Sequence, residues 1–212
     1  MKAAKPVRRP AARRGAPVRE RVLRAAEKIF AQRGYGLASM REVAAAAGIQ
    51  AASVYHHWRS KDALYADVLE HANATLRLIV RDALAHDEPL RAQLHRVIGE
   101  VFSFLVRHPD LARLNLRATL GDGFHTAAST RLYDSRWLGL VEGFLQPLVA
   151  KGQVKQIDVT RFVISASAVL NAHAVAYHDR RSPFRRELAG PAMARETAAH
   201  VTAVILRILG LE

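Results

Sequence analysis

Between Ser39 and Lys61 the chain sets out two hydroxyls (Ser39, Ser53), an amide (Gln50), a phenol (Tyr55), two imidazoles (His56, His57) and an ammonium group (Lys61) among small alanines. These groups form no acid–base or nucleophilic pair. The sequence holds no His-Glu-x-x-His, no Gly-rich phosphate loop and no nucleophile signature, so neither catalytic residues nor a cofactor is expected and the chain does not read as an enzyme. Hydrogen bonding to an extended polar partner is the chemistry such groups can do. Hydroxyls, amides and cations hold phosphate oxygens, and small side chains let a helix lie deep in a groove whose base edges its polar residues reach. A metal at His56-His57 is not expected, because adjacent helical residues point apart and no carboxylate follows at helical spacing. The chain has no cysteine, which excludes disulfides and thiolate metal sites.

The charge points to the same partner. The net charge is +13, and residues 1–61 carry 14 Lys/Arg against 3 Asp/Glu, a balance of +11. Residues 62–212 carry 18 against 16, a balance of only +2. A basic quarter joined to a near-neutral remainder suits a module that meets a polyanion, followed by one that does not. Residues 1–18, with three prolines and six Lys/Arg, read as a disordered basic arm, although a merely solubilising tail would have the same composition.

The elements that would position the polar groups follow from the pattern around them. Val22, Ala25, Ala26, Ile29 and Phe30 make one stripe of a first helix over about 19–33, stopped by Gly34 and Gly36. Ser39 and Glu42 form a capping box for a second helix, Met40 to Ala47, ending at Gly48. A third helix is expected from about Ala51 to Trp58, and Ser60 caps a long fourth. Ala44 is small where a second helix would cross the first, and Gly48 supplies the positive φ of a tight turn. Met40, Val43, Ala47, Ile49 and Val54 plug the contact between them. This is a helix-turn-helix. Five more helices are expected, starting near Pro89, at Asp110 (as a cap), near Thr126, at Asp158 (as a cap) and near Pro191, with Pro147 kinking the seventh and 179–190 forming a basic loop. The fold class is all-α with about nine helices, divided as 1–18 arm, 19–61 three-helix DNA-binding domain and 62–212 larger helical domain.

Taken together, Gly34-Tyr35, Ser39, Ala44 to Gly48, Tyr55, Trp58 and Lys61 make residues 19–71 resemble the N-terminal domain of the tetracycline-repressor (TetR) family. The resemblance implies a dimeric DNA-binding regulator, with Tyr55, His57 and Lys61 at phosphates and Ser39 and Ser53 making hydroxyl or backbone contacts. It puts Gln50, Ala51, Ala52 and His56 toward base edges. Trp58 stands where the family commonly has Phe, and reads as a core aromatic. Ala52 stands where relatives often have Gly.

For the second domain the resemblance implies homodimerisation and the enclosure of a small effector. Phe162, Ala166 and Val169 on the eighth helix, with Val201, Val204, Ile205 and Ile208 on the ninth, are the candidate interface, although such stripes also serve an intrachain core. Phe102, Asn115, Tyr133, Trp137, Phe144, Asn171, His173 and Tyr177 interleave polar and aromatic groups among apolar ones and are candidate pocket residues. The expected partners are a palindromic operator in double-stranded DNA, a second copy and an unidentified effector that releases a repressor. No membrane is expected, since no apolar run approaches the roughly 20 residues of a bilayer span, and the expected place of action is the cytoplasm. The competing reading is a non-specific basic DNA binder.

Overall fold

The computed structural model describes residues 17–122, 136–178 and 191–211. These form nine helices: α1 Val18–Leu37, α2 Met40–Ala47, α3 Ala51–His57, α4 Lys61–Leu84, α5 Leu90–Arg107, α6 Pro109–Thr119, α7 Arg136–Ala150, α8 Val159–His178 and α9 Pro191–Leu209. Among the described residues there is no strand, as expected for an all-α chain. The expected basic arm, except for Pro17 and Val18, lies outside the described residues, as do the start of the seventh helix and the 179–190 loop.

Local chemistry sets the helix ends of the first quarter. Ser39 Oγ accepts from Glu42 N–H at 3.2 Å, and Ser39 N–H donates to the Glu42 carboxylate at 3.0 Å, so the capping box closes in both directions. Gly48 turns the chain at φ 69°, and Ile49 N–H then donates to the Ala44 carbonyl at 3.0 Å. Ser60 Oγ accepts from Ala63 N–H at 3.1 Å to open α4. Asp158 opens α8 in the same way, accepting from Arg161 N–H at 2.9 Å.

The first helix is interrupted at Gly34, as expected, where the backbone leaves the helical region at φ 79° and ψ 168°, and a further short stretch runs on to Leu37. Two expectations about the helices need correcting. Asp110 does not cap α6. Pro109 is already its first helical residue, a place suited to a ring-fixed φ, and Asp110 sits inside the first turn. Finally, Val159–Tyr177 is long and apolar enough by length and composition to cross a membrane, although it packs within the bundle against α5, α6, α7 and α9.

The helices close over two cores. In the N-terminal head, Val22, Phe30, Val43, Val54 and Trp58 pack with Leu64, Tyr65, Val68 and Leu69 of α4 and with Leu114 and Ala118 of α6. In the body, Leu76, Val80 and Ala83 of α4 pack with Val101, Phe102 and Leu105 of α5, Leu170 and Ala174 of α8, and Val201 and Ile205 of α9. The two cores share α4, whose first half packs into the head and whose second half packs into the body.

Candidate nucleic-acid interface and inner cavity

The second helix of the turn motif is amphipathic in the way a groove-reading helix requires. Val54 is fully buried and Trp58, just past the helix end, is 4% exposed, so this side anchors α3 in the head. The indole N–H of Trp58 donates to Asp67 at 2.7 Å, and the Arg19 guanidinium lies 5.8 Å from its ring, which gives the polar edge a partner without exposing the ring. On the other side Gln50, Ala52, Ser53, Tyr55, His56 and His57 are all exposed, with Ala51 half-buried against the head. Tyr55 is 50% exposed although it is a large aromatic residue.

Two expected contact residues are engaged inside the protein. The Ser39 hydroxyl is exposed but bonded within the capping box. The Lys61 ammonium group donates to the carbonyls of Tyr35 at 2.9 Å and Ala38 at 3.1 Å, and lies 4.2 Å from the centre of the Tyr35 ring. Lys61 therefore closes the carbonyl end of α1, where a cation is favoured by the helix dipole, and is not held out toward a partner. Arg41 and Arg59 were not among the expected residues. Both are exposed beside the turn motif, and neither has an ion pair among the described residues. Their position inside the basic stretch was the signal that could have found them.

The head is bolted to the body behind this face. Phe30 and Tyr65 meet edge to face at 5.0 Å, and Tyr65 meets Tyr35 at 5.2 Å. The Tyr35 hydroxyl donates to the Asp62 carboxylate. Burial first, then that carboxylate, pushes the Tyr35 phenol up to about 12. From α6, Arg117 Nε donates to the Ala31 carbonyl at 3.0 Å, and its guanidinium pairs with Asp122 at 3.1 Å. Asp122 accepts in turn from Tyr35 N–H at 3.2 Å, and its carbonyl accepts from the Tyr65 hydroxyl at 2.9 Å. A Cβ at Gly34 would come within 2.7 Å of Asp122 Oδ2 and 2.9 Å of Arg117 Nη1 and push these side-chain ends aside, while the φ of 79° is what favours glycine there.

In the body a cavity of about 70 Å³ lies between α4, α5, α6, α7 and α8. Asn115, Trp137 and Asn171 line it, as expected. Phe102 does not, being packed into the body core at 2% exposure. Phe144, His173 and Tyr177 are half-buried elsewhere, with His173 Nδ1 held 2.9 Å from the Val169 carbonyl, and Tyr133 lies outside the described residues. Asn73 and Arg77 of α4 line the cavity and were not expected there. An uncharged polar residue set between Leu69 and Leu76 on an apolar helix face was the available signal.

Most of the expected interface residues turn inward. Val201 and Ile205 are spent in the body's own core at 0% and 2% exposure, while Phe162, Ala166 and Val169 pack against it from its edge. Val204 and Ile208 are half-buried. Val201 and Ile205 thus serve the monomer's own core, while the half-buried Phe162, Ala166, Val169, Val204 and Ile208 lie at its edge. The outward face carries Ile164, Ser165 and Ala172 on α8, and Ala199 and Ala203 on α9. Only 28% of the apolar stretch Val159–Tyr177 is buried. Among the described residues, no group of three His, Asp or Glu side chains could hold a metal ion.

Residues 22–68 match the model of a domain of bacterial regulatory proteins, tetR family. The HTH-type transcriptional repressor NicS of Pseudomonas putida is 28% identical over 144 residues, 65% of this chain and 64% of that protein. The chain thus spans less than two thirds of the length of the curated relatives it matches. A chain from Shewanella sp. PV-4 assigned to the tetR family of transcription regulators superposes with a TM-score of 0.72 at 13% identity, covering 92% of this chain and 98% of that one. The regulator FadR from Bacillus subtilis, solved in complex with stearoyl-CoA, superposes with a TM-score of 0.65 at 14% identity, covering 91% and 98%.

Proposed function

We propose that the chain is a tetR-family regulator, a reading supported by the match at residues 22–68, and that it is a sequence-specific DNA-binding protein that acts as a homodimer and leaves its operator when a small molecule enters the body. The exposed face of α3 carries this reading. It holds an amide, a hydroxyl, a phenol and two imidazoles on a helix whose other side is sunk in the head, and among the described residues none of these side chains has a hydrogen-bond partner within the protein. Arg41 and Arg59 flank it and supply phosphate contacts, Tyr55 adds a hydroxyl, and Ser39 and Lys61 act chiefly by fixing the helices that present them.

Repression follows the name of the Pseudomonas relative, and effector control is supported by the FadR complex and by the cavity. Pairing is supported by the uncovered apolar side of α8, whose small residues allow close approach of a second copy. A seven-residue recognition helix reads few base pairs alone, and two of them on a two-fold axis read a palindrome.

Selection of bound duplexes from a random pool tests the whole proposal. Recovery of one inverted repeat is expected. Tyr55→Phe should then weaken binding to it by about fivefold, through the loss of one hydrogen bond worth roughly 1 kcal/mol. Recovery of no motif, with binding that falls away steeply in salt for every sequence alike, would favour the non-specific basic binder instead.

A further inference from the structure

The cavity contains three carboxamides that are not equally satisfied. Asn73 on α4 and Asn115 on α6 bond each other reciprocally, Nδ2 to Oδ1 at 3.0 Å in both directions. Asn171 on α8 donates from Nδ2 to the Ser167 carbonyl at 2.7 Å, but its Oδ1 is buried without any partner. Exchanging the oxygen and nitrogen of Asn171 would set two oxygens against each other, so the orphaned atom is the acceptor. Asn171 is only 4% exposed and lines the cavity. A buried acceptor with no donor is unfavourable until something supplies one.

The remaining walls restrict what that can be. Leu69, Leu76, Val101, Leu105 and Leu170 are aliphatic, and Trp137 offers an aromatic face. The one cation, Arg77, is already paired with Glu70 at 2.5 Å, which leaves no unbalanced charge for an acid to neutralise. We propose that this cavity binds a small uncharged aromatic carboxamide, whose N–H donates to Asn171 Oδ1 while its ring lies among Trp137 and the leucines. When a primary carboxamide parts Asn73 and Asn115, its carbonyl and one N–H can pair with the edge of one of them while its second N–H reaches Asn171 Oδ1. Parting is required: the cavity holds about 70 Å³, and a benzene ring needs roughly 150 Å³. Because Asn115 and Arg117 share α6, separating α4 from α6 at the asparagines also pulls on the bonds that hold Ala31 and Asp122. This consequence for DNA rests on the regulator reading; the binding itself does not.

The test uses the full chain with benzamide, benzoate and decanoate as separate probes, read by calorimetry and by the side-chain amide resonances of Asn73, Asn115 and Asn171. Benzamide is expected to bind and to shift all three amide pairs, with benzoate and decanoate at least tenfold weaker. Asn171→Met should weaken benzamide by about tenfold or more, the value of one buried hydrogen bond left unmade. If that variant does not fold, the resonances of the unaltered chain decide. Tighter binding of benzoate or decanoate, undiminished binding by Asn171→Met, or no response to benzamide at ~10 mM would each overturn the proposal; the last would leave Asn171 with an ordered water as its donor. The selected duplex, assayed without any probe, separates the two readings: benzamide binding without DNA selectivity sinks the regulator and leaves the ligand.

Discussion

The two ends of α4 lie in contrasting surroundings. At the head end, Leu64 and Tyr65 are at most 1% exposed, and their neighbours are aromatic rings in edge contact and helices capped by their own side chains. A few turns later Asn73, Leu76 and Arg77 border a cavity, and the helix beyond it, α8, leaves most of an apolar stretch uncovered. Interiors packed like the first resist deformation, and interiors with room and unsatisfied polar groups do not. Under the proposed function, the head holds one shape for DNA, while the body leaves room and an unsatisfied acceptor for a ligand.

The contrast can be broken most severely at Phe30, which is fully buried between Tyr35 and Tyr65. Phe30→Ala should destabilise the head by about 3–5 kcal/mol. Two separated melting transitions, the earlier one removing DNA binding, are expected by circular dichroism. One shared transition would show that the shared helices α4 and α6 make the cores a single cooperative unit. A smaller change targets the bolt itself. Arg117→Met deletes the bond to Ala31 and the pair with Asp122, and since both side chains are partly exposed the loss should be no more than about 1–2 kcal/mol. Hydrogen exchange should quicken at residues 31–38 and stay unchanged in α5; uniform quickening would make Arg117 a general stabiliser instead of a joint.

The smallest effect is electrostatic and lies where α1 meets α6. Burial, reinforced by Asp110 and opposed by His108, raises the Glu27 carboxyl above its ordinary range. The native state therefore holds this proton more tightly than the unfolded chain does. Its contribution to stability grows as pH falls through the raised value, and levels off below the ordinary one. Glu27→Gln should be slightly more stable than the parent near neutral pH, and should lose that advantage on acidification. Denaturant titrations across this range would show it, and an advantage that widened in acid would reverse the assignment.

How legible each region was in the sequence depends on how far apart the interacting residues lie. The capping box joins Ser39 to Glu42, and the turn joins Gly48 to Ala44, so both could be read from adjacent letters. Val54 and Trp58 against Tyr55 and His56 followed from helical period alone. The Asn73–Asn115 bridge spans 42 positions and the Arg117–Ala31 bond 86, and no local pattern announces either. Lys61 shows the intermediate case. Its place in the motif was visible, but the kink at Gly34 that swings the α1 carbonyls toward its ammonium group was not. On α8 and α9 the apolar stripe was legible, but period reveals that a face is covered and not by which chain: Val201 and Ile205 are covered from within, while Phe162, Ala166, Val169, Val204 and Ile208 stay half-buried.

The chain has two tryptophans, and the fold puts one in each region. Trp58 is sealed in the head with its N–H on Asp67, while Trp137 stands half-buried on the cavity wall. The molecule thus carries two built-in optical reporters with separate duties. With Trp58 replaced by Phe, emission comes from the cavity alone and registers whatever displaces its contents. With Trp137 replaced, it comes from the head and registers how the DNA-facing end responds. Under the proposed function, the delay between the two signals after mixing would time how ligand binding in the body reaches the head, without any added label.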